Sequence, residues 1–120
     1  MKVRLRRDLV RAIRAGDPVA ASVLRSALAA IENAEAADPA DAPQPGLGQS
    51  PIAGSVSGLR AAEVGRRNLT AAEVEEIVRA EAAERLVAAG EYVRLGHADR
   101  AERLRQEAAI LAHYLADPGS

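Results

Sequence analysis

Cysteine is absent from this 120-residue chain. Disulfides, thiolate metal ligands and a cysteine nucleophile are thereby excluded. Phenylalanine and tryptophan are missing too, and Tyr92 and Tyr114 are the only aromatic residues. With 48% hydrophobic residues, any core has to be built from Leu, Val, Ile and Ala. Small alanine faces let helix axes approach closely. A basic excess is lacking as well. Lys and Arg total 16 against 17 Asp and Glu, a net charge of −1, whereas a dedicated nucleic-acid binder carries a clear positive surplus. No apolar run approaches the roughly 20 residues of a membrane span, so no membrane partner is expected. The opening Lys2-Val3-Arg4-Leu5-Arg6-Arg7-Asp8 is charged throughout and lacks the apolar stretch of a signal peptide. It reads as the first helix of the fold, and a cytoplasmic location is expected.

What is present is helical signal, most clearly from Leu69 to Leu115. Thr70 followed three residues on by Glu73 is a capping box: the hydroxyl accepts from one backbone N–H and the carboxylate reaches back to the other. From there Val74, Ile77, Val78, Ala82, Leu86, Ala89 and Val93 recur at threes and fours, giving one apolar stripe. Glu75–Arg79 and Glu81–Arg85 have the i,i+4 spacing of supporting ion pairs. Gly90 interrupts the pattern at a cost of up to about 1 kcal/mol. Gly96 is the expected stop, as a residue able to take the left-handed cap conformation. A return helix follows from near Ala98, with Ala101, Leu104, Ala108, Leu111 and Leu115 as its apolar line. The connection is only a few residues long, which makes the two helices antiparallel neighbours.

The N-terminal third repeats the design. Leu5, Leu9, Ala12 and Ile13 form a stripe with Val10 beside it, and Arg4, Arg7, Arg11 and Arg14 take the other face. Gly16 ends that helix, Asp17 caps the next and Pro18 opens it. The second helix carries Ala20, Val23, Leu24, Ala27, Leu28 and Ile31. Between them the two hairpins leave a stretch rich in Pro and Gly without periodicity. The expected architecture is all-α. Residues 1–120 form a single domain: an N-terminal hairpin at 1–37, a long flexible Pro/Gly-rich loop at 38–58, a short helix or turn at 59–68, and a C-terminal hairpin at 69–116. The two antiparallel hairpins pack as a four-helix assembly.

Specific residues carry a resemblance. Leu5, Asp8, Leu9 and Ala12 fit a Leu-x-x-Asp-Leu-x-x-Ala opening. Leu24, Arg25, Leu28, Ile31, Asn33 and Glu35 fit a Leu-Arg-x-x-Leu-x-x-Ile-x-Asn-x-Glu helix. Leu69-Thr70, Glu73-Val74, Arg85, Gly96, Asp99, Glu102, Glu107, Ile110, Leu111, Tyr114 and Leu115 follow in register. In these the chain resembles the YqeY-like family, related to the tail domain of the B subunit of tRNA-dependent Asp/Glu amidotransferases. The segment joining the two hairpins is longer than the family's connector. The C-terminal three-helix module that follows Tyr-Leu in the family is not in this chain, which reads as a short form.

The resemblance implies a non-catalytic binding module whose partner is tRNA or a tRNA-amidation complex. A second class is a protein-interaction module docking on another protein through an Ala-rich helix face. A carbon–nitrogen ligase using glutamine as amido donor ranks third, because no nucleophile–base pair, phosphate-cradling glycine loop or Ser-x-x-Lys arrangement is present. No catalytic residue and no cofactor are expected. His97 and His113, the only histidines, have no zinc-ligand spacing, so no metal is expected either. Asp8, Arg25, Asn33, Arg85 and Glu107 fall on or beside the apolar stripes and coincide with the family's polar positions. They read either as a structural polar network fixing how the hairpins dock or, for Arg25 and Arg85, as phosphate contacts. Arg60, Arg66 and Arg67 form a basic cluster beside Asn68, either an RNA or partner contact or a solvated loop edge.

Overall fold

The structure, a computed structural model, describes residues 1–36 and 68–117. Among the described residues there are four α-helices and no strand: α1 (Lys2–Ala15), α2 (Pro18–Ala36), α3 (Ala71–Arg94) and α4 (Ala98–Ala116). The fold is the expected all-α assembly of two helical pairs, α1 with α2 and α3 with α4. Residues 1–31 and 70–117 belong to one compact unit. The expected loop at 38–58, and residues 59–67 of the expected short helix or turn, lie outside the described residues.

Both pairs turn by the same device. Gly16 and Gly96 have positive φ, 68° and 81°. Each donates to the carbonyl three residues back, Gly16 to Ile13 and Gly96 to Val93, both at 3.1 Å. The following N–H then reaches five residues back, Asp17 to Ala12 at 2.9 Å and His97 to Tyr92 at 2.8 Å. This double closure is the Schellman motif, and it satisfies carbonyls the helix end would orphan. The next helix starts at once after Gly16, where the Asp17 carboxylate accepts from Ala20 N at 3.1 Å and Pro18 opens the first turn. At the start of α3 both bonds of the capping box are made, Glu73 N to Thr70 Oγ1 at 3.1 Å and Thr70 N to Glu73 Oε1 at 2.9 Å.

Gly90 neither ends nor breaks α3, which continues to Arg94. A Cβ placed there meets nothing within 4 Å. Gly90→Ala is therefore expected to raise stability by about 0.5–1 kcal/mol, since it removes unfolded-state freedom without strain. A urea titration measures this as a higher midpoint at unchanged slope.

The largest fully buried side chains are Leu5, Leu24, Ile31, Leu111, Val23 and Val78. α3 and α4 are the helices in most extensive close approach. Alanine makes this possible: Ala82 and Ala89 on α3, and Ala101 and Ala108 on α4, are buried, each pair two turns apart. Elsewhere the buried lines depart from the expected stripes. Leu86 is 55% exposed and Ile13 51%, and Val10 and Val93 are exposed too. On α3 the inward line steps through Val78, Ala82, Arg85 and Ala89, and Leu86 lies about 100° round the helix from Arg85. On α2 the buried alanine is Ala21, with Ala20 half-buried. On α4 Glu107 and Tyr114 are buried while Leu104 and Leu115 are half-buried. Arg79 pairs with Glu76, one turn away by three residues, and not with Glu75.

Candidate functional site

The charged centre of the bundle is Arg85. Its Nε donates to Glu107 Oε1 at 2.8 Å, and its Nη1 donates to Glu81 Oε1 at 3.1 Å and to the Glu81 carbonyl at 3.0 Å. Glu81 Oε1 also accepts from Ser26 Oγ at 2.8 Å, and Glu107 Oε2 from Arg103 Nε at 3.4 Å. These bonds tie α2 to α3 and α3 to α4. The Arg85, Glu81 and Glu107 side chains are only 13%, 16% and 11% exposed. Charges this far from water are tolerated only when paired and hydrogen-bonded. Two carboxylates and two guanidiniums here cancel.

A second cluster fastens α1 to the end of α4. Tyr114, buried, donates its hydroxyl to Asp8 Oδ2, and Arg7 Nε donates to Asp8 Oδ1 at 3.3 Å. The Arg4 guanidinium lies over the Tyr114 ring, 5.0 Å from its centroid, and donates to the Asp117 carbonyl. Arg4 therefore bonds the carbonyl of the residue that ends α4 and covers the helix's aromatic ring at once. Arg4 is half-buried, whereas Arg7, Arg11 and Arg14, expected on the same face, are exposed.

Burial pushes the Asp8 carboxyl up, but the Tyr114 hydroxyl and the Arg7 and Arg11 charges outweigh it and hold the group below its ordinary 3.8. Burial, and then the bond to Asp8, push the Tyr114 hydroxyl well above its ordinary 10.0. Asp8 thus contributes stability that is present above its unfolded pKa and lost as pH falls through the folded one. Tyr114 contributes stability that is complete below its unfolded pKa and lost as pH rises through the folded one. Tyr114→Phe is expected to cost about 1–2 kcal/mol at neutral pH. Melts taken from pH 7 down to pH 3 should show the gap to the wild type narrowing as Asp8 protonates.

The structure divides the residues expected to form one polar network. Arg85 and Glu107 are joined, and Asp8 belongs to the separate α1–α4 cluster. Arg25 and Asn33 are exposed on α2, about 100° and 200° round the helix from the buried Leu24 and Ile31. The expected contact arginines divide as well. Arg85 is taken by two carboxylates and has no fork to offer a phosphate. Arg25 makes no ion pair or hydrogen bond among the described residues. Arg60, Arg66 and Arg67 lie outside the described residues. Sequence reasoning missed Ser26, Arg103, Arg4 and the depth of Glu81. One signal was there for Tyr114: a tyrosine on an apolar line needs a partner for its hydroxyl.

His97 is exposed in the α3–α4 turn with its ring edge-on to Tyr92, centroids 6.0 Å apart. Among the described residues no group of three His, Asp or Glu is placed to hold a metal ion. No described helix is long and apolar enough to cross a membrane. Buried side-chain nitrogens and oxygens among the described residues all have a hydrogen-bond partner. The class these features define is an all-α helical bundle with its interior charges closed on one another. No protein-family model matches the chain, and no characterised protein or solved structure does.

Proposed function

We propose that the protein is a non-catalytic binding module of YqeY-like type, working with tRNA or a tRNA-amidation complex. The observation that carries the non-catalytic part is the closure of the interior charges. A catalytic carboxylate needs an oxygen facing its substrate, and Glu81 and Glu107 face Arg85, Ser26 and Arg103 instead. What supports the tRNA link is the register of residues along the two hairpins. Titration of the purified protein into fluorescently labelled tRNA at several salt concentrations tests it. The expected result is saturable binding at micromolar affinity or tighter, weakening steeply with salt. Absence of binding at low salt removes the tRNA reading, and glutaminase activity in the isolated chain removes the non-catalytic one.

A protein partner is the second reading, favoured by the outer face of α3. There Ala80 and Ala83 are exposed beside Leu86 and Val87, and Val87 is 68% exposed. A partner that co-purifies with the wild type and is lost from a Leu86→Arg, Val87→Arg variant would favour it.

A further inference from the structure

The near-zero net charge conceals a bipolar chain. Its first 31 residues hold seven of the 16 cations and only two of the 17 acids, Asp8 and Asp17. The two ends also use their arginines differently. In the C-terminal hairpin Arg79, Arg85, Arg94, Arg103 and Arg105 each sit against a glutamate, and Arg100 lies over the Tyr92 ring. In the N-terminal hairpin Arg11, Arg14 and Arg25 are exposed and make no ion pair or hydrogen bond among the described residues.

We propose that this arginine face, Arg7, Arg11 and Arg14 along α1, is the surface on which an RNA phosphodiester backbone docks. The proposal rests on the tRNA reading and supplies its surface. Spacings of four and three residues put Arg7, Arg11 and Arg14 on one side of α1, separated by roughly 6 and 4.5 Å along the axis. That step is comparable to the spacing of successive phosphates on an RNA strand. Arg25 stands apart from this line: it lines a recess at the α1–α2 turn with Ile13 and Asp17, and Ile13 is about 100° round α1 from Arg14. The guanidinium is the group whose fork fits a phosphate with two parallel hydrogen bonds. Arg7 already spends its Nε on Asp8 at 3.3 Å but is 54% exposed, so its remaining donors stay open to solvent.

An acidic peptide would also be attracted, but two features favour the nucleic-acid backbone. The cations are arginine throughout, and they follow a line as a strand of phosphates does. Neither tyrosine is on this face: Tyr114 is buried, and Tyr92 is beside His97 and Arg100 at the other hairpin's turn. With no aromatic platform for a base, the face reads charge and not sequence.

The test is labelled-tRNA binding by three proteins: the wild type, the Arg11→Glu/Arg14→Glu variant, and an Arg79→Glu/Arg94→Glu control. Circular dichroism confirms that each remains helical. Reversing Arg11 and Arg14 should weaken binding at least about 30-fold. It should also lower the slope of log K against log salt by about 2, roughly one for each phosphate no longer neutralised, while the control stays within about threefold of wild type. Unrelated RNA sequences of equal length should bind alike. If the wild type binds tRNA but the α1 variant binds as well as the control, this surface is wrong and the tRNA reading stands. If the wild type does not bind, both fail together. Displacement of tRNA by polyglutamate at equal charge concentration would overturn the RNA assignment in favour of an acidic protein.

Discussion

Arg85→Met should lower stability by about 3–5 kcal/mol, the loss expected when one partner is taken from a nearly buried ion cluster. The substitution keeps most of the side-chain volume, so little of the loss comes from an empty space. What remains is Glu81 and Glu107 on facing helices with the charge between them gone. Arg103 is 53% exposed and reaches Glu107 only at 3.4 Å, too loosely to replace a guanidinium bonded at 2.8 Å. For a domain of ordinary stability, about 5–15 kcal/mol, such a loss consumes a large part of the total. The melting temperature should fall by roughly 10–20 °C.

The companion variant Arg85→Met/Glu107→Leu separates two accounts of that loss. If the damage comes from leaving a carboxylate unpaired in the core, removing Glu107 as well recovers much of it. Glu81 keeps its bond from Ser26 in either variant. If the double variant is no better than the single one, Arg85 acts chiefly through Glu81, and the α3–α4 pairing is of minor weight. Equilibrium unfolding in urea measures all four corners of the cycle.

The sequence announced this cluster only in fragments. Glu81 and Arg85 have the spacing of a surface ion pair, and nothing local distinguishes such a pair from a buried one. Its depth is set by Ser26, 55 residues away in the chain, and by Glu107 on the returning helix. Tyr114 and Asp8 stand 106 residues apart, so their bond is invisible to any periodic pattern. Local chemistry was legible where both partners lie within one turn. The Thr70–Glu73 box, the Asp17 cap with Pro18, and the turns at Gly16 and Gly96 are of this kind. Apolar periodicity gave the helices and their approximate inner faces. It overstated the width of those faces, because it ranks every aliphatic residue as inward and cannot see that on α3 Ala82 and Ala89 are buried while Leu86 and Val93 are exposed. The arginine face was hidden for a different reason. A net charge of −1 sums over the whole chain, and only a count taken element by element exposes the excess on α1.

The width of those faces can be measured on α1. Leu5→Ala should cost about 2–5 kcal/mol, whereas Ile13→Ala and Val10→Ala should each change stability by less than about 0.5 kcal/mol. All three positions belong to the apolar pattern that defines the helix in sequence. The structure separates them: Leu5 is 0% exposed, and Ile13 and Val10 are exposed. Leu5 and Ala12 are the only buried residues of α1, and Ala12 has little side chain to contribute. Leu5 therefore supplies most of the apolar anchor, and the Asp8–Tyr114 bond with the Arg4 stack supplies the polar one. Losing Leu5 leaves a void at the one large buried side chain of α1, and the α3–α4 pairing does not depend on it. The cheaper response is for α1 to lift away. Hydrogen exchange should accordingly show amides of α1 losing protection first in Leu5→Ala, while those of α3 and α4 keep most of theirs. A uniform loss of protection across all four helices would instead mean that α1 is integral to a single cooperative core, with Leu5 at its centre.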